Sequence, residues 1–266
     1  MRADHAAGRS GADRRFIGRA TAMEQRPADR AFGRTKRPPC RAGKLRAMPA
    51  LIVFALQLGA SAAAQTSPSP AEYAAYTGLH RAAANGSLTE IRSLLAERVN
   101  PNHRDLAGRT PMHVAAFGAG HEAVRALVAG GGDINALEND RYDVITIAAV
   151  KDDVRMVKLA IELGGNPKMI TSRYDGTALI AAAHLGHTEV VGELIAAGAP
   201  LDHVNNLGWT ALMEAVVLGD GGARHVAIVR TLVAAGANKA IADREGVTPL
   251  QHAQRRGYQA IAAILQ

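Results

Sequence analysis

From Thr77 onward the chain carries one short phrase six times, at spacings of 33, 33, 34, 33 and 38 residues. The copies open at Thr77, Thr110, Asp143, Thr177, Thr210 and Thr248 and read TGLHRAA, TPMHVAA, DVITIAA, TALIAAA, TALMEAV and TPLQHAQ. A near-constant period of this length means that one supersecondary unit recurs. Such a unit is too small to bury its own apolar face, so neighbouring copies must stack to make a continuous core.

Each copy predicts a pair of helices. Thr at the anchor, or Asp143 in the third copy, supplies an oxygen that caps a helix N-terminus, and Pro111 or Pro249 suits the first helical position, where no amide donor is needed. The small pairs Ala82–Ala83, Ala115–Ala116, Ala148–Ala149 and Ala182–Ala183 let neighbouring helices approach closely. Apolar residues at helical spacing then mark a second helix: Ile91, Leu94 and Leu95 in the first copy, Ile228, Val229, Leu232 and Val233 in the fifth. Gly131, Gly164, Gly198 and Gly236 recur just past it, where a left-handed cap favours glycine. Arg98 stands there in the first copy, so a less regular helix end is expected.

The phrase and its period resemble the ankyrin repeat, whose core is T-P-L-H-x-A at 33 residues. The resemblance covers residues 73–266 and implies an all-α solenoid of about six helix-turn-helix repeats with short hairpin-like loops. The repeats fall near 73–104, 105–137, 138–171, 172–204, 205–242 and 243–266. Gln251, Gln254, Arg255 and Arg256 make the first helix of the last copy polar, as a terminal capping unit requires. The spacing of 38 places five additional residues between the helices of the fifth copy, within 219–225, where a tolerated loop insertion is expected.

The net charge of +7 is a property of the leader, not of the repeats. Residues 1–64 hold thirteen Lys and Arg against four Asp and Glu, leaving 18 basic (31 less 13) and 20 acidic (24 less 4) residues beyond them, a net of −2. Nucleic-acid binding thereby loses its electrostatic footprint. Residues 48–64 follow the basic flank ending at Arg46 with a short apolar run and Ala62-Ala63-Ala64, the parts of a secretory signal cleaved before Gln65. That run is too short for a permanent membrane span. Residues 1–47 are then a disordered leader or lie upstream of the true start, with a mitochondrial transit peptide as the alternative, and 65–72 read as a linker. Cys40 is the only cysteine and cleavage removes it, so the expected setting is a periplasm, or secretion, for a domain with no disulfide and no thiol chemistry.

Partner contacts come from the resemblance, which implies a concave groove of hairpin tips and first helices. Carried onto this chain, it nominates Arg109, Arg141, Tyr142, Arg173, Tyr174, Asn206 and Trp209 at the tips, with Phe117, His184 and Glu214 on the groove floor. Exposed aromatic and Arg residues are the usual anchors of an interface. Tyr142, Tyr174 and Trp209 are expected in one row, either as such anchors or as packing between hairpins. His184 and His187 have the spacing of a helical metal pair, but no Cys or Glu cluster completes a set. His80 and His113 belong to the repeated phrase. Nucleophile-elbow, P-loop and zinc-protease motifs are absent. The expectation is therefore a monomeric, non-enzymatic module without metal or cofactor, which binds a protein or peptide partner. The alternatives are a cytosolic regulatory or effector protein, a structural assembly domain, or a hydrolase built on His184, Glu214 and His225.

Overall fold

A computed structural model describes residues 67–266; the leader and the apolar segment expected to direct export lie outside the described residues. Among the described residues there are thirteen α-helices and one isolated β-bridge, Thr171 to Gly176. A short helix α1 (Pro70–Ala75) precedes six pairs: α2 (Gly78–Ala84) with α3 (Leu88–Ala96), α4 (Pro111–Phe117) with α5 (His121–Ala129), α6 (Val144–Val150) with α7 (Val154–Glu162), α8 (Ala178–Leu185) with α9 (Thr188–Ala196), α10 (Ala211–Val217) with α11 (Ala223–Ala234), and α12 (Pro249–Arg255) with α13 (Gln259–Leu265). First helices pack on first helices in chain order, and second helices on second helices, so the six pairs form two layers.

The repeated phrase explains the packing. Leu79, Met112, Ile145, Leu179 and Leu212, two residues past the first five anchors, are all buried. The small pairs beside them are buried too, and side chains no larger than alanine keep the first helices close. Ile91, Val124, Leu127, Leu194 and Leu232 seal the second layer. Each such side chain contributes about 1.5–3 kcal/mol on burial, but only against a neighbouring repeat.

Capping follows the anchors with two exceptions. Thr177, Thr210 and Thr248 accept from the amide three residues on at 3.2–3.3 Å, and Asp143 does so at 2.7 Å. Thr77 makes no such bond, and the Thr110 hydroxyl instead meets the ring of His113 at 2.8 Å. At the other end of the repeat, Gly131, Gly164, Gly198 and Gly236 have φ of +91°, +91°, +82° and +98°. Arg98 is forced into the same region at +61°, so the helix end expected to be irregular keeps its geometry and carries strain instead.

Two further expectations need correction. Residues 69–72, read as linker, start α1: Ser69 and Glu72 form a reciprocal capping box, and Tyr73 and Tyr76 pack against the core. The insertion in the fifth copy is only partly a loop. Five residues, 218–222, separate α10 from α11, against three between α4 and α5, while α11 has twelve residues against nine in α5. Two added residues lengthen the loop and three extend the helix.

Candidate partner-binding site

The hairpins between repeats are built by the side chain five residues before each anchor. Asp105 Oδ1 accepts from the amides of Ala107 and Arg109, and Asp243 Oδ1 from those of Glu245 and Val247. Asn205 Oδ1 does the same for Leu207 and Trp209, both at 3.0 Å. Main-chain bonds then join hairpin to hairpin: Asn139 donates to Ala107, Ser172 to Arg141, and Asn206 to Tyr174.

What fills the space beneath a hairpin depends on the residue three past the anchor. In the first repeat His80 Nε2 lies 2.9 Å from the Arg109 carbonyl. In the second, His113 Nδ1 accepts from the Thr110 amide, so its Nε2 carries the hydrogen and donates to the carbonyls of Ala136 and Tyr142 at 3.0 and 3.1 Å. Burial among these partners holds the His113 ring neutral, with its pKa lowered to about 4. The third, fourth and fifth repeats carry Thr146, Ile180 and Met213 at this position. Thr146 donates to the Thr171 hydroxyl at 3.0 Å.

A cleft of about 220 Å³ opens there, walled by hairpin residues Tyr142, Tyr174 and Leu207 and by Ile180, His184 and Leu185 of α8. Glu214 of α10 and Asn205 also line it. Glu214 is 3% exposed; its Oε1 accepts from Asn205 Nδ2 at 2.9 Å, while its Oε2 has no hydrogen-bond partner. His184 Nδ1 stands 3.3 Å from Oε2 without the alignment of a hydrogen bond. Among the described residues no Lys or Arg forms an ion pair with this carboxylate.

Tyr142, Tyr174, His184 and Glu214 are thus brought together in one cleft, and the remaining nominees divide. Arg109 is 6% exposed and spends its guanidinium on Glu72 at 2.8 Å and the Tyr76 hydroxyl at 3.4 Å, which ties α1 to the stack; it is no surface anchor. Phe117 is buried in the core, contrary to its expected place on the floor. Tyr142 is 5% exposed and belongs to the core as well as to the cleft wall. Arg141 and Arg173 are exposed and pair with Asp175 and Asp140 of neighbouring hairpins. Asn206 donates its side-chain amide to the Arg173 carbonyl at 3.0 Å, a staple between hairpins. Trp209 is half-buried and is not among the residues that wall the cleft.

Val114, Ile147 and Glu214, four past their anchors, are buried, whereas Lys151 and Leu185, eight past theirs, are exposed. Asn205 was not singled out by sequence reasoning, although the loss of the phrase histidine in the third to fifth copies marks where the cleft forms.

Two further histidines, His187 and His225, join one repeat to the next. His187 Nδ1 meets the Ala149 carbonyl of the preceding repeat at 2.8 Å. His225 meets the His184 main-chain carbonyl at 3.1 Å and Asp220 at 2.8 Å, and Tyr258 donates to Gly219 at 3.1 Å, so the insertion is pinned at both sides. His225 therefore approaches His184 through the backbone, and the three-residue arrangement required of a hydrolase does not form. Among the described residues no group of three or more His, Cys, Asp or Glu is placed to hold a metal ion, and no helix is long and apolar enough to cross a membrane.

The family described as Ankyrin repeats (3 copies) matches residues 50–138, 79–169 and 144–242. The chain belongs to the ankyrin-repeat family. Its similar proteins include the putative ankyrin repeat protein YahD of Escherichia coli K12, 33% identical over 185 residues, which cover 69% of this chain and 92% of that one. An ankyrin repeat domain from Acinetobacter baumannii AYE superposes with a TM-score of 0.68 at 42% identity, covering 70% of this chain and 95% of its own. The Enterococcus ankyrin repeat protein EF0377 gives 0.67 at 29% identity, over 71% and 98%. Ankyrin repeats are generally protein–protein interaction modules and typically non-enzymatic.

Proposed function

We propose that this chain is an exported, periplasmic ankyrin module that takes a segment of a partner protein at the hairpin and first-helix surface of its third to fifth repeats. The cleft between Tyr174, Leu185 and Leu207 carries this reading. Leu207 and Leu185 are 40% and 38% exposed beside it, so apolar surface is offered where the hairpin and helix meet. A preformed surface on a stacked scaffold spends little ordering entropy when it binds, and a few well-placed side chains then suffice. Capture from a periplasmic extract with the full chain should recover a partner that the Leu207→Asp variant fails to hold, while Arg155→Ala on the second-helix layer retains it. Equal recovery by wild type and Leu207→Asp would remove the cleft from the interface. Export is checked by fractionation and N-terminal sequencing: a mature chain beginning at Gln65 in the periplasm is expected, and an uncleaved cytosolic chain would favour the regulatory or effector alternative.

A further inference from the structure

We infer that the cleft is a receptor for one lysine side chain of the partner, with Glu214 Oε2 as the seat of its ammonium group. This deepens the interaction-module reading and rests on it. A buried polar atom without a hydrogen bond is rare in native proteins and calls for a physical explanation. Glu214 is such a case: its side chain is 5% exposed and Asn205 satisfies only Oε1. Leaving a carboxylate oxygen desolvated and unbonded is costly, and a cation brought to it recovers that cost.

The surroundings specify which cation. The volume of about 220 Å³ is below the range of about 300–1,000 Å³ typical of drug-sized ligands, so it suits one side chain. Ile180, Leu185 and Leu207 line it with hydrocarbon, against which the methylene stem of a long basic side chain packs. Tyr142 and Tyr174 add aromatic walls, which attract a cation placed over a ring face. An aliphatic occupant such as leucine would bury Glu214 further without bonding it. A guanidinium prefers two parallel bonds to a carboxylate, but here Asn205 already holds Oε1. Lysine, a point donor, needs only Oε2. His184 is the gate: its ring, 28% exposed, stands beside that closed-off oxygen and must turn aside to admit the ammonium group.

The test is an NMR titration of the full-length chain with N-acetyl-lysine methylamide, its arginine and norleucine counterparts, and cadaverine. The lysine probe should shift the His184 and Tyr174 signals with a Kd on the order of millimolar. Norleucine should bind at least tenfold more weakly, and arginine more weakly than lysine. Glu214→Gln, which keeps an acceptor for Asn205, should lose at least tenfold in lysine affinity. Ala181→Leu, which fills the floor with hydrocarbon, should abolish binding, and it serves as the deciding variant if Glu214→Gln does not fold. Equal binding of norleucine and lysine, or undiminished lysine binding in the folded variants, overturns the proposal. Cadaverine binding as tightly as the lysine probe overturns the polypeptide source. A partner held equally by wild type and Glu214→Gln but lost from Leu207→Asp would sink the lysine receptor and leave the interaction module standing.

Discussion

The second repeat and the fourth carry the same phrase at the same anchor, yet one is closed beneath its hairpin and the other is open. In the second, His113 reaches across to the carbonyls of Ala136 and Tyr142 and takes the Thr110 amide on its other nitrogen. In the fourth, Ile180 stands at the equivalent position and a cleft lies beside it. Apolar burial stabilises both, but only the histidine ties the first helix to the next hairpin by hydrogen bonds. The residue that makes a repeat self-sufficient is also the residue that fills its groove. Binding surface in this stack appears where that tie has been given up.

The largest effect should come from breaking the closed side. His113→Ala strands buried main-chain groups and leaves a cavity, costing about 4 kcal/mol in urea unfolding. A cost under 1 kcal/mol would mean that the histidine merely occupies space. Acidification probes the same tie. With a folded pKa of about 4, below its unfolded value near 6.5, His113 gives full stability above pH 6.5. That contribution, about 3 kcal/mol, is lost as pH falls from 6.5 towards 4 and changes no further below that. Comparing pH-dependent unfolding of wild type with that of His113→Asn isolates this slope from the carboxylates.

Closing the open side sharpens the comparison with a smaller change in stability. Thr146→His gives the third repeat the residue its phrase lacks, at the cost of the Thr146–Thr171 hydroxyl bond. Stability should change by no more than about 1 kcal/mol, while the lysine probe and any captured partner are excluded. Retained binding would show that the cleft does not depend on the missing histidine. The smallest effect is expected at Arg98, whose left-handed backbone the other repeats assign to glycine. Arg98→Gly should raise stability by about 0.5 kcal/mol, read as a later urea midpoint with an unchanged slope.

Much of this was legible beforehand because a stacked repeat is specified locally. The period, the Thr and Asp anchors and the small pairs each report on residues within one turn or one neighbouring repeat. The insertion was located by arithmetic on the anchors, although its division between loop and helix was not, since Ala223, Arg224 and His225 have no helical phrase to join. The linker expectation failed at Ser69–Glu72 because a single turn of helix has too few residues for a period to appear.

The candidate site was less legible. Arg109 and Phe117 occupy positions that face a groove in the repeat pattern, but Glu72 of α1 covers the first and the core takes the second. By itself, then, the sequence determined the fold, the number of helix pairs and the separate positive charge of residues 1–64, since short-range pattern suffices for a structure held together by nearest neighbours. Only the tertiary structure decided that Asn205 occupies one oxygen of Glu214 and leaves the other without a hydrogen bond beside the His184 ring. Orphaned polar atoms arise from distances and angles between side chains of different repeats, which spacing along the chain does not encode.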